Sequence, residues 1–339
     1  MTDTAARYER ADFQTDQEVR WCPGCGDYTI LASVQSYLAS LDIDREKHVF
    51  VSGIGCSSRF PYYVNTYGMH TVHGRAPAIA TGVATANPDL TVWVITGDGD
   101  GLSIGGNHLI HALRRNVNLN IILFNNQIYG LTKGQYSPTS EVGKRTKTSP
   151  SGSIDRPFNP VSLALGSEAA FVARTIDMDR NHTIAMLAEM NEHEGAGLLE
   201  IYQNCNVFND KAFIDLTDKN SRDSNRIWLE EGKPIVFGPD NEYGVVVDGK
   251  GAKIVEVADV GIDNLHVHTP DDPNPAVAFA LSRISQGPYG PTPLGVFRNV
   301  KVPSYGKVLQ EQVAAAQTDK GAGDLGKLIR SRGTWTVDA

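Results

Sequence analysis

TVWVITGDGDGLSIGGNHLIHALRRNVNLNIILFNNQIY, residues 91 to 129, decides the fold. Thr91 to Thr96 and most of Asn120 to Phe124 are apolar and rich in β-branched residues, and continuous apolar runs of this length suit parallel strands buried on both faces. Between them Ile110, Leu113 and Val117 recur at helical spacing, on a segment long enough for a crossover helix. Adjacent parallel strands end on one edge of a sheet. Asp98, after the first strand, and Asn126, after the second, therefore become neighbours on the edge where open α/β sheets bind ligands.

The residue types on that edge point to a metal-bridged phosphate. Gly97 and Gly99 let the backbone turn sharply and approach a phosphate closely. Asp98 offers a hard carboxylate oxygen and Asn126 an amide oxygen, a set that suits magnesium, which fills its remaining positions with phosphate oxygens and water. A helix N-terminus alone contributes about 0.3 to 2 kcal/mol per favourable charge, too little for a multiply charged diphosphate, so the metal carries much of the attraction. Gly-Asp-Gly by itself is more often an ordinary turn. The Asn125-Asn126 pair, which places Asn126 28 positions after Asp98 and after a strand, favours the metal site.

Working outward, His48 to Ser52 reads as a strand with Gly53-Ile54-Gly55-Cys56 leaving its end, Phe171 to Ile176 as another, and Leu198 to Tyr202 as a third, followed by Cys205. Thr71 to His73 reads as a short strand or turn, and the Ala-rich Gly74 to Asn87 as a helix packed closely on the sheet. Further helices are expected after Gly26, with Ile30, Leu31, Val34, Leu38 and Leu41 on one stripe, at Pro160 to Leu165, and over Asn181 to Glu192 with Ile184, Leu187 and Ala188 inward. The fold class is thus α/β, a mostly parallel open sheet with flanking helices. Residues 1 to 20 form an arm, 21 to 213 the α/β domain, and 214 to 339 an irregular C-terminal extension that covers a neighbouring surface. Within the extension, Tyr243 to Val257 is a hairpin turning at Asp248 to Gly251, Asn274 to Ile284 is helical, Leu294 to Phe297 is a short strand, and the stretch from Gln310 onward is polar and extended. The polar loop from Ile128 to Asn159 is too long to be a mere connection.

Composition excludes several classes. A formal charge of −8 argues against nucleic acid as the main partner, and no apolar run is long enough to cross a bilayer. The opening MTDTAARYERADFQTDQEVR is polar and charged, unlike a signal peptide, which makes the cytoplasm the expected location. In that setting Cys22, Cys25, Cys56 and Cys205 read as metal ligands or buried thiols rather than disulfides. A CxxC pair with two distant single cysteines leaves structural zinc, an iron–sulfur cluster and incidental thiols open; zinc lacks its usual second CxxC or histidine half. Cys56, Asp98, Asn126 and Cys205 all follow the C-terminal ends of predicted parallel strands, so one sheet edge carries both sets.

Gly97-Asp98-Gly99 with Asn125-Asn126 resembles the diphosphate-binding signature of thiamine diphosphate enzymes. Adding Trp21-Cys22-Pro23-Gly24-Cys25-Gly26, Gly53-Ile54-Gly55-Cys56-Ser57, His73-Gly74-Arg75 and the run Ile128 to Gln135, the chain from about Trp21 to Phe213 is similar to the β subunit of 2-oxoacid:ferredoxin oxidoreductases, most of all the 2-oxoglutarate type. The resemblance implies a thiamine diphosphate-binding fold of the diphosphate type. It implies magnesium held by Asp98, Asn126 and the Ile128 carbonyl, and a diphosphate lined by Gly97, Gly99, Asp100, Tyr129, Gly130, Leu131 and Thr132. Ile54, Gly55, Cys56, Ser57 and His73 would contact the cofactor, and Cys22, Cys25, Cys56 and Cys205 would bind one [4Fe-4S] cluster beside it. The implied activity is oxidative decarboxylation of 2-oxoglutarate with coenzyme A to succinyl-CoA and carbon dioxide, electrons passing to ferredoxin, with reverse carboxylation open. Pyruvate or broad 2-oxoacid specificity, and a non-redox decarboxylase subunit, are the alternatives.

Arg59, three residues after Cys56, is a candidate for pairing with the substrate carboxylate, against a plain surface arginine. His73 is a cofactor contact or a satisfied buried histidine. Lys144, Arg145 and Lys147 fit coenzyme A phosphates or an acidic ferredoxin less well than a solvated loop. Thiamine enzymes take an activating glutamate from a second, pyrimidine-binding domain, and only the diphosphate half is found here. An α subunit is therefore required, with an αβ dimer of dimers as the expected assembly.

Overall fold

The computed structural model describes residues 7–285 and 289–337; the first six residues of the expected arm and the last two of the tail lie outside it. Eight strands form the main sheet: β1 (His48–Ser52), β2 (Tyr67–His70), β3 (Thr91–Gly97), β4 (Leu119–Asn125), β5 (Phe171–Ile176), β6 (Ala196–Tyr202), β7 (Arg226–Leu229) and, later in the chain, β11 (Thr292–Asn299). Their spatial order is β2-β1-β3-β4-β6-β5-β11-β7. All neighbours are parallel except β5 and β11, which run antiparallel. Strands β8 (Val236–Phe237), β9 (Tyr243–Asp248) and β10 (Gly251–Glu256) make a separate antiparallel sheet, with the hairpin turn where the sequence places it.

Alternation along the buried strands sorts the core into two layers. Val49, Val51, Val92, Val94, Ile121 and Leu123 face α2 (Ala76–Ala86), α4 (Gly106–Arg114) and α5 (Pro160–Gly166). Phe50, Trp93, Ile95, Ile122 and Phe124 face α1 (Asp27–Ser40) and α6 (Arg180–Glu192). The short α3 (Asp98–Leu102) leaves β3 directly. Period-2 patterning with both faces apolar is what a doubly covered sheet demands.

The departures from the sequence reading have local causes. Helix α4 ends before Val117, because Asn116 adopts φ 51° and its side chain reaches Val302 O and Ala196 N. The strand expected at Thr71 to His73 lies earlier: Tyr67–His70 pairs with β1, and Thr71 then caps Ser52 O through both its N–H and Oγ1. In α6 the buried residues are Thr183, Met186, Leu187 and Met190, with Ile184 and Ala188 only partly covered. The arm is pinned, since Phe13 is fully buried and meets His48 edge-on. The region past residue 213 supplies β7 and β11 to the main sheet as well as the hairpin. Its end is helical rather than extended, with helices at Tyr305–Lys320 and Leu325–Arg330 that bury no residue and rest on good helix formers.

Candidate cofactor and thiol sites

The ends of β3 and β4 are neighbours in register, Gly97 beside Phe124, so Asp98 and Asn126 emerge together. Asp98 is 2% exposed, and Oδ2 accepts from Ser137 Oγ at 2.5 Å and Thr139 Oγ1 at 2.6 Å. Burial pushes its carboxyl up to about 6 while those hydroxyls oppose the rise. No lysine or arginine among the described residues pairs with it, so a buried carboxylate here is suited to a cation. Asn126 Nδ2 donates to Gln203 Oε1 at 2.9 Å, which fixes the amide so that Oδ1 is presented on the opposite side, where it accepts from Ile128 N at 3.2 Å. This donor set fits magnesium.

Tight backbone approaches surround that pair. A Cβ on Gly99 would lie 2.2 Å from the Tyr129 ring, whose hydroxyl donates to Gly99 O at 2.8 Å. Asp100 acts as a latch: it accepts from Ile54 N, Gly74 N, Thr96 Oγ1 and His73 Nδ1, tying three loops together. His73 is therefore not a buried histidine. Its side chain is 42% exposed, and with Nδ1 bound to Asp100 the ring stands at the pocket rim. Every cofactor contact expected from the sequence, from Ile54 through Thr132, lines one pocket, together with Ile128 and with Phe124, which the sequence did not single out.

Arg59 stands elsewhere. It does not line this pocket; its Nη1 donates to Arg20 O at 2.9 Å, and its positive charge lies near the Cys56 thiol. Lys144 is engaged by Asn209 and Glu141 rather than free in a solvated loop. Sequence reasoning missed Ser137 and Thr139, which the long loop after β4 folds back under Asp98; their only signal was a hydroxyl-rich run, Ser137 to Ser140, inside a loop that is polar throughout.

The four thiols are free and gather beside the same edge. A Cβ on Gly130 would stand 3.5 Å from Cys56 Sγ and 3.7 Å from Cys205 Sγ, and the charges of Cys56 and Cys205 act on Cys25. Trp21 Nε1 donates to Cys56 O, and Gly26 admits no side chain because Asp177 Oδ2 would sit 1.8 Å from its Cβ. Burial pushes the Cys56 thiol up to about 12 and raises Cys25 and Cys205, so thiolates here need a compensating positive group. Among the described residues, no three His, Cys, Asp or Glu side chains converge closely enough to share one metal ion. A cluster, whose irons spread its ligands, asks for a wider set than a single ion does. Gln203 was also missed. It receives Asn126 Nδ2 on Oε1 and donates from Nε2 to Cys25 Sγ at 3.3 Å, joining the two halves of the edge.

This combination of a parallel sheet, a Gly-Asp-Gly turn and an oriented asparagine defines a thiamine diphosphate-binding domain. Residues 53–201 match the family described as thiamine pyrophosphate enzyme, C-terminal TPP binding domain. The chain is 57% identical over 329 residues to 2-oxoglutarate oxidoreductase subunit KorB of Mycobacterium tuberculosis, covering 96% of this chain and 88% of that one. Against 2-oxoglutarate synthase subunit KorB of Archaeoglobus fulgidus it is 40% identical over 221 residues, covering 64% of this chain and 82% of that one. It also superposes on the 2-oxoglutarate:ferredoxin oxidoreductase of Magnetococcus marinus with 2-oxoglutarate, coenzyme A and succinyl-CoA bound, at a TM-score of 0.78 and 33% identity over 98% of each chain. The chain belongs to the 2-oxoacid:ferredoxin oxidoreductase β subunits. The cofactors of this family are thiamine diphosphate, magnesium and an iron–sulfur cluster. No helix among the described residues is long and apolar enough to cross a membrane.

Proposed function

We propose that this chain is the β subunit of a cytoplasmic 2-oxoglutarate:ferredoxin oxidoreductase, converting 2-oxoglutarate and coenzyme A to succinyl-CoA and carbon dioxide. The observation that carries the reading is Gly130, which lines the Asp98–Asn126 pocket and on which a Cβ would meet the Cys56 and Cys205 sulfurs at 3.5 and 3.7 Å. When bound, thiamine diphosphate supplies the carbanion that attacks a 2-oxo carbonyl, and an iron–sulfur cluster takes up the released electrons singly. The chain's residues do the rest. Asp98, the Asn126 amide and the Ile128 carbonyl hold magnesium, while Gly99 and Gly130 let the backbone close on the diphosphate. His73, held to Asp100 through Nδ1, presents its ring at the rim for a hydrogen bond to the bound group. Cys22, Cys25, Cys56 and Cys205 hold the cluster.

The enclosed volume of the pocket in this chain is about 50 Å³, well below the roughly 300 Å³ at which small-molecule sites begin, which supports walls contributed by a second subunit. An α subunit provides them, in an αβ dimer of dimers that hands electrons to ferredoxin. The test is an anaerobic assay of the purified αβ complex with coenzyme A and ferredoxin. Turnover with 2-oxoglutarate well above that with pyruvate is expected; preference for pyruvate overturns the substrate assignment. Iron and sulfide analysis of the β chain alone decides the cluster's seat: metal-free β chain beside an iron-loaded complex would move the cluster to another subunit.

A further inference from the structure

A second cavity, of about 440 Å³, lies behind the metal carboxylate and is lined by Arg156, Arg283, Phe158 and Tyr202 among others. Its size falls in the range of small-molecule sites. No carboxylate lines it, and neither guanidinium has an ion-pair partner among the described residues. Two unpaired guanidinium forks facing one space are suited to a phosphate or carboxylate group. Phe158, 49% exposed, and the Tyr202 ring give the same cavity an apolar wall.

The wall shared with the cofactor site is a continuous polar chain. Thr139 lines the cavity and reaches both Asp98 Oδ2, at 2.6 Å, and Asn125 Oδ1, at 2.9 Å. Asn125 Nδ2 donates to Glu200 Oε1 at 2.7 Å, and the buried Arg174 joins Glu200 Oε2 at 2.6 Å to Asn159 Oδ1 at 3.3 Å. Asn159 in turn lines the cavity and donates to Ser282 O, next to Arg283. Occupancy of the cavity thus touches both ends of the network that orients Asp98.

We propose that this cavity binds a small organic anion, a phosphate or carboxylate on an apolar body, and that the bound anion raises the magnesium affinity of the neighbouring site. The sign follows from electrostatics: neutralising two arginines behind Asp98 makes the potential there less positive, which favours a cation. Coupling is reciprocal, so magnesium tightens the anion by the same factor.

The experiment uses the αβ complex, titrated calorimetrically with AMP, succinate and inorganic phosphate. One site per β chain is expected for AMP or succinate, at about 1 mM or tighter, with inorganic phosphate weaker for want of an apolar body. Tighter AMP identifies a phosphate ester as the ligand class and tighter succinate a carboxylate. The Arg156→Gln/Arg283→Gln double variant, altered at two exposed positions, should bind at least about tenfold more weakly while keeping its turnover without anion. Saturating anion should lower the magnesium half-saturation point about fivefold or more in the wild type and leave the double variant unmoved. Absence of binding by all three probes, equal binding by the double variant, or an unchanged magnesium requirement overturns the proposal. The binding arms do not depend on whether the thiols carry a cluster.

Discussion

Asp98 accepts from two hydroxyls and stands at the cofactor pocket rather than among the thiols, which makes it the residue whose loss separates the two chemistries on the edge. Asp98→Asn keeps the shape and the Ser137 and Thr139 partners but removes the charge. It should abolish measurable magnesium–thiamine diphosphate binding by titration and leave iron content intact. Cys205→Ala should do the reverse, lowering iron and sulfide and sparing cofactor binding; a variant of either kind that lost both would mean the sites are one unit. Gln203 tests how they communicate. It is fully buried, and its Nε2 gives Cys25 Sγ a hydrogen bond of the kind that sets cluster potentials. Gln203→Leu should lower the cluster midpoint in an anaerobic redox titration followed by electron paramagnetic resonance. Freeing the Asn126 amide should also weaken magnesium about 10- to 100-fold, as loss of an orienting outer partner does. An unmoved midpoint would place the cluster away from Cys25.

At the scale of elements, β1, β3, β4, β5 and β6 were legible because a strand buried on both faces has little choice of composition, and β1 and β5 were read to the residue. The glycine turns and the Asn125-Asn126 pair were legible as one sheet edge for a similar reason: close backbone approach at strand ends restricts residue type. Ser137 and Thr139 were not, since nothing local says that a loop returns to cover a carboxylate. Nor was β7, four residues long, whose place depends on β11 arriving from more than sixty positions later. Arg59 lies outside the pocket of this chain, because its guanidinium turns to Arg20 O, and proximity in sequence to Cys56 does not decide on which side of the thiol it lies. The terminal helices make a prediction at this scale. Leu325, Leu328 and Ile329 are each 69% exposed and nothing in either helix is buried, so deletion of residues 321 to 339 should change the unfolding free energy of the isolated chain by no more than about 0.5 kcal/mol. A urea midpoint lowered well beyond that would show that the segment packs on the body.

For the whole molecule, buried titratable groups of opposite tendency set the acid response. Burial holds His48 and His182 neutral down to about 4, against an ordinary value of 6.5, and lowers His193, His266 and His268. Between pH 6.5 and 4 the unfolded chain binds protons that these imidazoles refuse in the fold, so their contribution to stability is lost as pH falls through that window. Asp27 and Asp177 act the other way. Burial raises them to about 7 and about 6, so the fold binds their protons before the unfolded chain does and gains stability as pH falls. These contributions oppose one another, so a single histidine is best read by difference. His48 is the cleanest choice: it is fully buried, its Nε2 has no partner, and its Nδ1 meets only Trp93 Nε1 at 3.4 Å. His48→Phe removes the titration while keeping a ring against Phe13 and Trp93. Its unfolding free energy, measured in urea at pH 7 and again at pH 4.5, should fall less than that of the wild type, by on the order of 2 kcal/mol. Equal losses in the two proteins would mean that water reaches His48 and that the aromatic layer between β1 and α1 is looser than its packing implies.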